Sequence, residues 1–308
     1  MTTNAVIIVS WNCREALKNC LACLEKHAPK QIQILVVDNA SSDATPSMIR
    51  TQFPHVMLLE QKQNLGFAKA NNLACRNTDA EYLFILNPDT LIHTGVIERL
   101  SDFLDTNQDA ALAAPKLIDS EGCYVKSTFC FPNLLNYWTE HSVFYALREK
   151  IRKKKTKAPH GTAPKQVDWA TGAAFMVRRS ALEREPLFDE RFFIYSEDAD
   201  LCRRLKLKGW KNYYIPDVTV SHLHRISSKK APVFSIFHLF QSMDLYYNKH
   251  KTRAQRFFLR LCITTDMLIR LLLIMFFPGK DSILKQNLER RKAYREVIRR
   301  LHPFRLKP

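Results

Sequence analysis

Short apolar runs alternate with helical spacing along the first ninety residues. Val6–Val9 is a β-branched run that stops at Ser10-Trp11-Asn12, and residues 14–27 carry a helical pattern. Ile32–Val37 is a second run, closed by Asp38-Asn39-Ala40-Ser41-Ser42-Asp43. A helix follows Thr45-Pro46, where proline in the first turn costs no hydrogen bond. Val56–Leu59, a helix over 67–76 and a strand over Tyr82–Leu86 complete the series, which ends at Asn87-Pro88-Asp89. Continuous apolar runs separated by helices predict a parallel sheet covered on both faces, hence an α/β fold. Ligands of such sheets bind past the carboxyl ends of the strands. Three polar clusters fall there: Trp11-Asn12, Asp38-Asn39 and Asn87-Pro88-Asp89.

Residues 115–165 are less regular and rich in aromatics, and 148–165 reads as an exposed loop. Pattern returns as a strand over Trp169–Val177, a helix over 197–208 and a strand over 212–220. Near the C-terminus, 257–277 is largely apolar.

Composition narrows the chemistry. The 308 residues are 46% hydrophobic and 25% charged, which is globular. There are only seven glycines, none spaced for G-x-G-x-x-G or a Walker loop, so a phosphate must be held by a metal, a basic side chain or a helix end. The net charge of +17 is concentrated in 148–157 and 248–308, and the rest is near neutral. That placement suits an anionic surface, lipid or nucleic acid. No aromatic–basic interleaving or recognition helix accompanies it, so nucleic acid is not expected as a partner. Eight scattered cysteines and no N-terminal signal pattern predict reduced thiols in the cytoplasm. Cys20-x-x-Cys23 lacks a second pair and reads as a buried helix face.

Glu197, Asp198 and Asp200 crowd one helical first turn. The helix dipole favours them there, but three carboxylates in four residues repel unless a cation or proton transfer uses them. Asp38 can accept hydrogen bonds from a nucleobase imide or a ribose hydroxyl, although an Asp after a strand is more often a turn former. Asp89, with His222 as a second ligand, is a sparse cage of the kind that suits Mg2+ or Mn2+ completed by substrate phosphates and water.

Taken in order, several segments resemble the signatures of glycosyltransferase family 2, in its bacterial rhamnosyltransferase-like branch. They are Val6-Ile-Ile-Val-Ser-Trp-Asn12, Val36-Val-Asp-Asn-Ala-Ser-Ser-Asp43, Asn64-Leu-Gly-Phe-Ala-Lys-Ala-Asn-Asn72 and Leu86-Asn-Pro-Asp-Thr90. Trp169–Arg178, Phe188-Asp-Glu-Arg-Phe-Phe, Glu197-Asp-Ala-Asp-Leu-Cys-Arg203 and Lys208-Gly-Trp210 continue the set to about residue 230. The resemblance implies a GT-A nucleotide-sugar-binding fold and inverting transfer to a lipid-linked or oligosaccharide acceptor of a bacterial surface glycan. The donor it suggests is dTDP-rhamnose, with UDP-sugars as the rival. It implies Asp198 as base with Glu197 beside it, and Glu197 and Asp200 orienting acceptor and helix. Trp11, Asn12, Asp38, Asn39, Asn64, Gly66, Lys69 and Asn87 would lie on the donor. Asp89 and His222 would hold Mg2+ or Mn2+. Two departures stand out: Asn87 replaces the first acid of the D-x-D site, and Arg225 replaces the glycine of the usual H-x-x-G-x-S. An inactive member serving as an assembly partner would not need Asp38, Asp89 and Asp198, all of which are present.

The expected organisation is a catalytic domain over 1–235, divided into a donor half (1–115) and an acceptor half (116–235), and a basic amphipathic helical tail over 236–308. As a helix, 257–277 is about 31 Å long, enough to span a bilayer. Asp266 and Arg270 cost roughly 5–7 kcal/mol on the insertion scale, and the apolar residues return about as much, so spanning is not favoured. Arg253, Arg256, Arg260, Asp266 and Arg270 share one arc, which predicts a helix lying on an anionic membrane. The alternatives are packing on the catalytic domain or pairing in a homodimer. The expected location is the cytoplasmic face of the inner membrane.

Overall fold

The computed structural model describes residues 4–145, 161–223, 232–276 and 281–303. The whole basic run at 148–157, together with His224, Arg225 and Ser227, lies outside them. The chain divides into two compact units. Unit 1 comprises 1–131, 155–193 and 197–227, and unit 2 comprises 132–154, 194–196 and 228–308.

Unit 1 is built on one mixed sheet. Its strands are β1 (Asn4–Ser10), β2 (Gln33–Asp38), β3 (Met57–Glu60), β4 (Tyr82–Leu86), β5 (Thr90–Ile92), β6 (Ala110–Ile118), β7 (Tyr124–Val125), β8 (Thr128–Phe129), β9 (Lys165–Val167), β10 (Trp169–Ala170), β11 (Ala174–Arg178) and β12 (Lys211–His222). The main path runs β3-β2-β1-β4-β11-β6-β12-β5, while β8 and β10 form a separate pair. Pairing is parallel through β3-β2-β1-β4 and between β6 and β12, and β11 joins the two blocks antiparallel to each. Every residue from Ala5 to Ile8 and from Tyr82 to Ile85 is fully buried, as two-sided cover requires of unalternating apolar runs. Helices α1 (Arg14–His27), α2 (Thr45–Gln52), α3 (Phe67–Cys75), α4 (Val96–Thr106) and α6 (Glu197–Leu207) belong to this unit. On α1, Leu17, Cys20, Leu21 and Leu24 turn into the core, so Cys20 is a packing residue and burial drives its thiol pKa well up. None of the eight cysteines is joined in a disulfide.

The stretch Trp169–Val177 is not one strand. It breaks into β10 and β11 around Gly172, because the backbone N–H of Gly172 turns out of the sheet to Asp198.

Unit 2 contains α5 (Leu134–Glu140), α7 (Pro232–His250), α8 (Arg253–Phe276) and α9 (Asp281–Leu301). The backbone thus divides inside the expected acceptor half, since Val143 donates its N–H to Asp266 on α8 at 2.6 Å. Helix α8 is amphipathic. Its charged arc faces inward: Asp266 is fully buried on Arg270 at 2.7 Å, and Arg270 also reaches the carbonyl of His141 at 2.9 Å. Asp244 of α7 accepts from both Arg256 and Arg260 at 2.6–2.9 Å. Although burial opposes it, these two guanidiniums hold the Asp244 carboxyl below the usual range. Leu259, Ile263 and Met267 are fully buried among these charges. Charges that are mutually paired can be turned inward, whereas unpaired ones cannot. Among the described residues no helix is long and apolar enough to cross a membrane.

Candidate active site

Register brings the predicted polar clusters to one edge of unit 1. Ser10 of β1 pairs with Asp38 of β2, and Ile8 pairs with Leu86 of β4, so the segments after all three strands leave the sheet on the same side. From Asn87 the geometry continues across β11: the Asn87 N–H donates to the carbonyl of Ala173 at 2.9 Å. The preceding residue, Gly172, donates to Asp198 at 3.0 Å. A short bonded path therefore links the Asn87–Asp89 segment to the acidic end of α6.

Asp38 is almost fully buried. One carboxylate oxygen accepts the Ser41 N–H at 2.9 Å, and the other is buried without a partner among the described residues. Burial pushes its pKa up, against the Ser41 hydrogen bonds. A buried acceptor with no donor is costly unless something fills it, and an imide N–H or a ribose hydroxyl has the right polarity.

The neighbouring amides are spent on the scaffold. Asn12, in left-handed backbone with φ 51°, accepts the Ser42 N–H on its side chain at 2.8 Å and so holds the 38–43 turn. Asn39 donates to the carbonyl of Gly66 at 3.1 Å and accepts from Leu65 at 3.3 Å. Asn64 accepts the Gly66 N–H at 2.9 Å. Gly66 itself serves a close approach: at φ 83° a Cβ would stand 2.5 Å from the carbonyl oxygen of Phe193. Asn12, Asn39, Asn64 and Gly66 thus each have an internal task, while Trp11 is half-buried and Lys69, on α3, is exposed.

Asp89 and His222 come together through pairing of β5 with β12, in which Thr90 faces His222. The imidazole Nε2 lies 3.2 Å from Asp89 Oδ1. Asn87 is fixed by its backbone, whose carbonyl accepts from Thr90 Oγ1 at 2.6 Å, while its half-buried side chain has no hydrogen bond among the described residues. No group of three or more His, Cys, Asp and Glu is placed to hold a metal among the described residues. One carboxylate and one imidazole nonetheless fit a divalent ion that takes its other ligands from a diphosphate and water.

At the start of α6, Tyr195 and Ser196 both hold left-handed backbone, φ 73° and 63°. Such strain costs on the order of 1–2 kcal/mol per residue and is concentrated at functional sites. Asp198 accepts from Gly172 on one oxygen and from its neighbour Ala199 at 2.8 Å on the other. Burial raises its pKa from 3.8 to about 6, despite those two backbone donors. Glu197 is buried with Oε2 unpartnered among the described residues, and burial plus the Asp198 charge raise its pKa well above the usual range. Asp200 is set apart: it pairs with Arg204 at 3.0 Å, and Arg204 is held in turn by Glu185 and the Leu187 carbonyl. Asp200 therefore anchors the helix. A further residue that emerges from the structure is Asn72, whose amide clamps Phe188 at both its N–H (2.9 Å) and its carbonyl (2.7 Å).

A family model for glycosyl transferase family 2 matches residues 5–186. The N-acetylglucosaminyl-diphospho-decaprenol L-rhamnosyltransferase of Mycobacterium tuberculosis is 29% identical over 247 residues, covering 74% of this chain and 78% of that protein. Rhamnosyltransferase WbbL of Escherichia coli is 29% identical over 236 residues, covering 70% of this chain and 82% of its own length. Among solved structures, the Pyrobaculum calidifontis mannosyltransferase PcManGT, determined with GDP-Man and Mn2+, superposes with a TM-score of 0.56 at 17% identity over 98% of this chain and 84% of that one. S. aureus TarS superposes with a TM-score of 0.53 at 16% identity over 83% of this chain, which spans 42% of its length. These likenesses identify the fold as GT-A.

Proposed function

The chain belongs to glycosyl transferase family 2 and is a glycosyltransferase, and from that premise we propose an inverting transfer centred on the sheet edge of unit 1. The nucleotide-sugar lies across the ends of β1, β2 and β4. Asp38 takes the base or ribose on its unpartnered oxygen, the observation that most directly supports a bound donor there. Asn87 faces the diphosphate. Asp89 and His222 are the residues that would hold Mg2+ or Mn2+. A divalent ion so bound supplies charge neutralisation for the leaving diphosphate.

Asp198 takes the proton of the acceptor hydroxyl as that oxygen attacks the anomeric carbon. A base with a pKa of about 6 is ionised at neutral pH yet retains more basicity than an ordinary carboxylate. Glu197, held neutral, keeps its proton and so places no second negative charge beside Asp198. Gly172 and Ala199 fix the orientation of the base through two N–H groups.

The donor we propose is dTDP-rhamnose, and the acceptor a lipid-linked sugar. Two rhamnosyltransferase relatives support the sugar, and the decaprenol-linked substrate in the name of one supports the acceptor. A screen of dTDP-, UDP- and GDP-sugars for divalent-dependent hydrolysis and thermal stabilisation tests this reading. Stabilisation by dTDP-rhamnose above the others supports it, and selective turnover of a UDP-sugar replaces it with the rival donor.

A further inference from the structure

Turning the charged arc of α8 inward leaves its other side outward. At 100° per residue, Phe258, Leu261, Leu268, Leu272, Met275 and Phe276 fall within an arc of about 100°. They are 41–74% exposed. The remaining exposed positions inside that arc are Ala254, Phe257 and Thr265, so the strip carries no charge. With roughly 200 Å2 for each large side chain, the six residues leave about 600 Å2 of apolar surface uncovered. That is the upper end of what a soluble monomer exposes in one patch. The strip runs along about 27 Å of helix.

Charge decides what covers it. The segment 248–308 carries sixteen Lys and Arg against four Asp and Glu. On α9, Lys292, Arg295 and Arg299 are exposed along one face. A second copy of this chain would bring an equally basic segment against it. A bilayer with anionic headgroups offers an apolar layer and the opposite charge together. The buried Asp266–Arg270 pair keeps the helix in its protein packing and out of a spanning position.

We propose that unit 2 binds the surface of an anionic lipid bilayer, with the uncharged outer strip of α8 lying in the headgroup–acyl boundary. The proposal goes beyond the transfer chemistry, and its test needs no sugar substrate, so the failure of either leaves the other standing. The full chain is sedimented with phosphatidylcholine vesicles, with and without phosphatidylglycerol, across a salt series. The wild type should pellet with the anionic vesicles, and salt should release it in part, because it screens the charges and leaves the apolar contact. Leu261→Glu/Leu268→Glu/Leu272→Glu should lower partitioning by about tenfold or more, with an unchanged thermal midpoint. Leu207→Glu, at a leucine of unit 1 that is 71% exposed, should leave binding intact. If the triple variant fails to fold, Leu261→Gln/Leu272→Gln is read the same way. Equal binding of a folded variant and the wild type overturns the proposal. So does a wild type that stays in the supernatant, or one that is a dimer in solution and becomes a monomer in the variant.

Discussion

Replacing Asp198 with Asn separates the cost of the proposed base from its use. The wild-type carboxyl is raised from 3.8 to about 6 by burial. That displacement corresponds to on the order of 3 kcal/mol. Because the folded state holds the proton more tightly than the unfolded state, stability is greatest below about pH 4. It falls as pH rises to about 6 and stays reduced above. Asn removes this loss. It also turns an NH2 towards one of the two N–H donors, Gly172 or Ala199, and gives up one hydrogen bond at a cost of about 1–3 kcal/mol. The two effects nearly cancel at neutral pH, so the melting point should change little there. Turnover should fall by about two to four orders of magnitude, with donor affinity retained. In the wild type, kcat/KM should rise with pH through about 6, and in the variant that limb should disappear. Calorimetry from pH 4 to 8 and a pH–rate profile give both readouts. A variant that keeps wild-type turnover, or a wild type whose acidic limb is absent, would refute the assignment.

Three further outcomes are expected. Gly66→Ala, whose Cβ would meet the Phe193 carbonyl at 2.5 Å, should destabilise by about 2–4 kcal/mol in urea unfolding. Gly95→Ala, equally left-handed but with nothing within 4 Å, should cost about 1 kcal/mol. Asp38→Asn puts a donor where the unpartnered acceptor stands and should weaken nucleotide binding about tenfold or more by calorimetry, with little change in the unliganded melting point. Asp89→Ala should abolish the divalent dependence of donor binding, and His222→Ala should raise the Mn2+ concentration needed for it; full wild-type activity in excess chelator would remove the metal from the mechanism.

The strands and helices of the first ninety residues were legible because β1, β2 and β4 are buried on both faces and therefore read as unbroken apolar runs. The shared edge of the three polar clusters followed from the same pattern, since loops after parallel strands open on one side. Strand β6 carries a weaker signal: Ala110–Ile118 is alanine-rich and contains Pro115, and only its place between β11 and β12 makes it a strand. Strand β5 has three residues and exists through pairing with β12. The family resemblance alone assigns Asn39 and Asn64 to the donor, and no spacing rule shows that Asn39 also bonds Leu65 and Gly66 or that Asn64 accepts the Gly66 N–H. The arc of charge on α8 was visible, but its direction was not. Helical spacing tells which residues share a face, and only the partners Asp244, His141 and Val143 tell which way that face turns.

The position of β11 also governs how the chain emerges from the ribosome. Tyr82–Leu86 forms the free edge of the parallel block until Ala174–Arg178 arrives to pair with it, about 90 residues later. At ~5–20 residues per second the delay is roughly 5–20 seconds. Throughout that interval the nascent chain presents Tyr-Leu-Phe-Ile-Leu, a strand without charge, proline or glycine, as an open edge of the kind that recruits other chains. Chaperone demand during synthesis should therefore be heaviest between the exit of β4 and the exit of β11, and a ribosome pause inside that window should lower the soluble yield more than one placed after β11 has emerged.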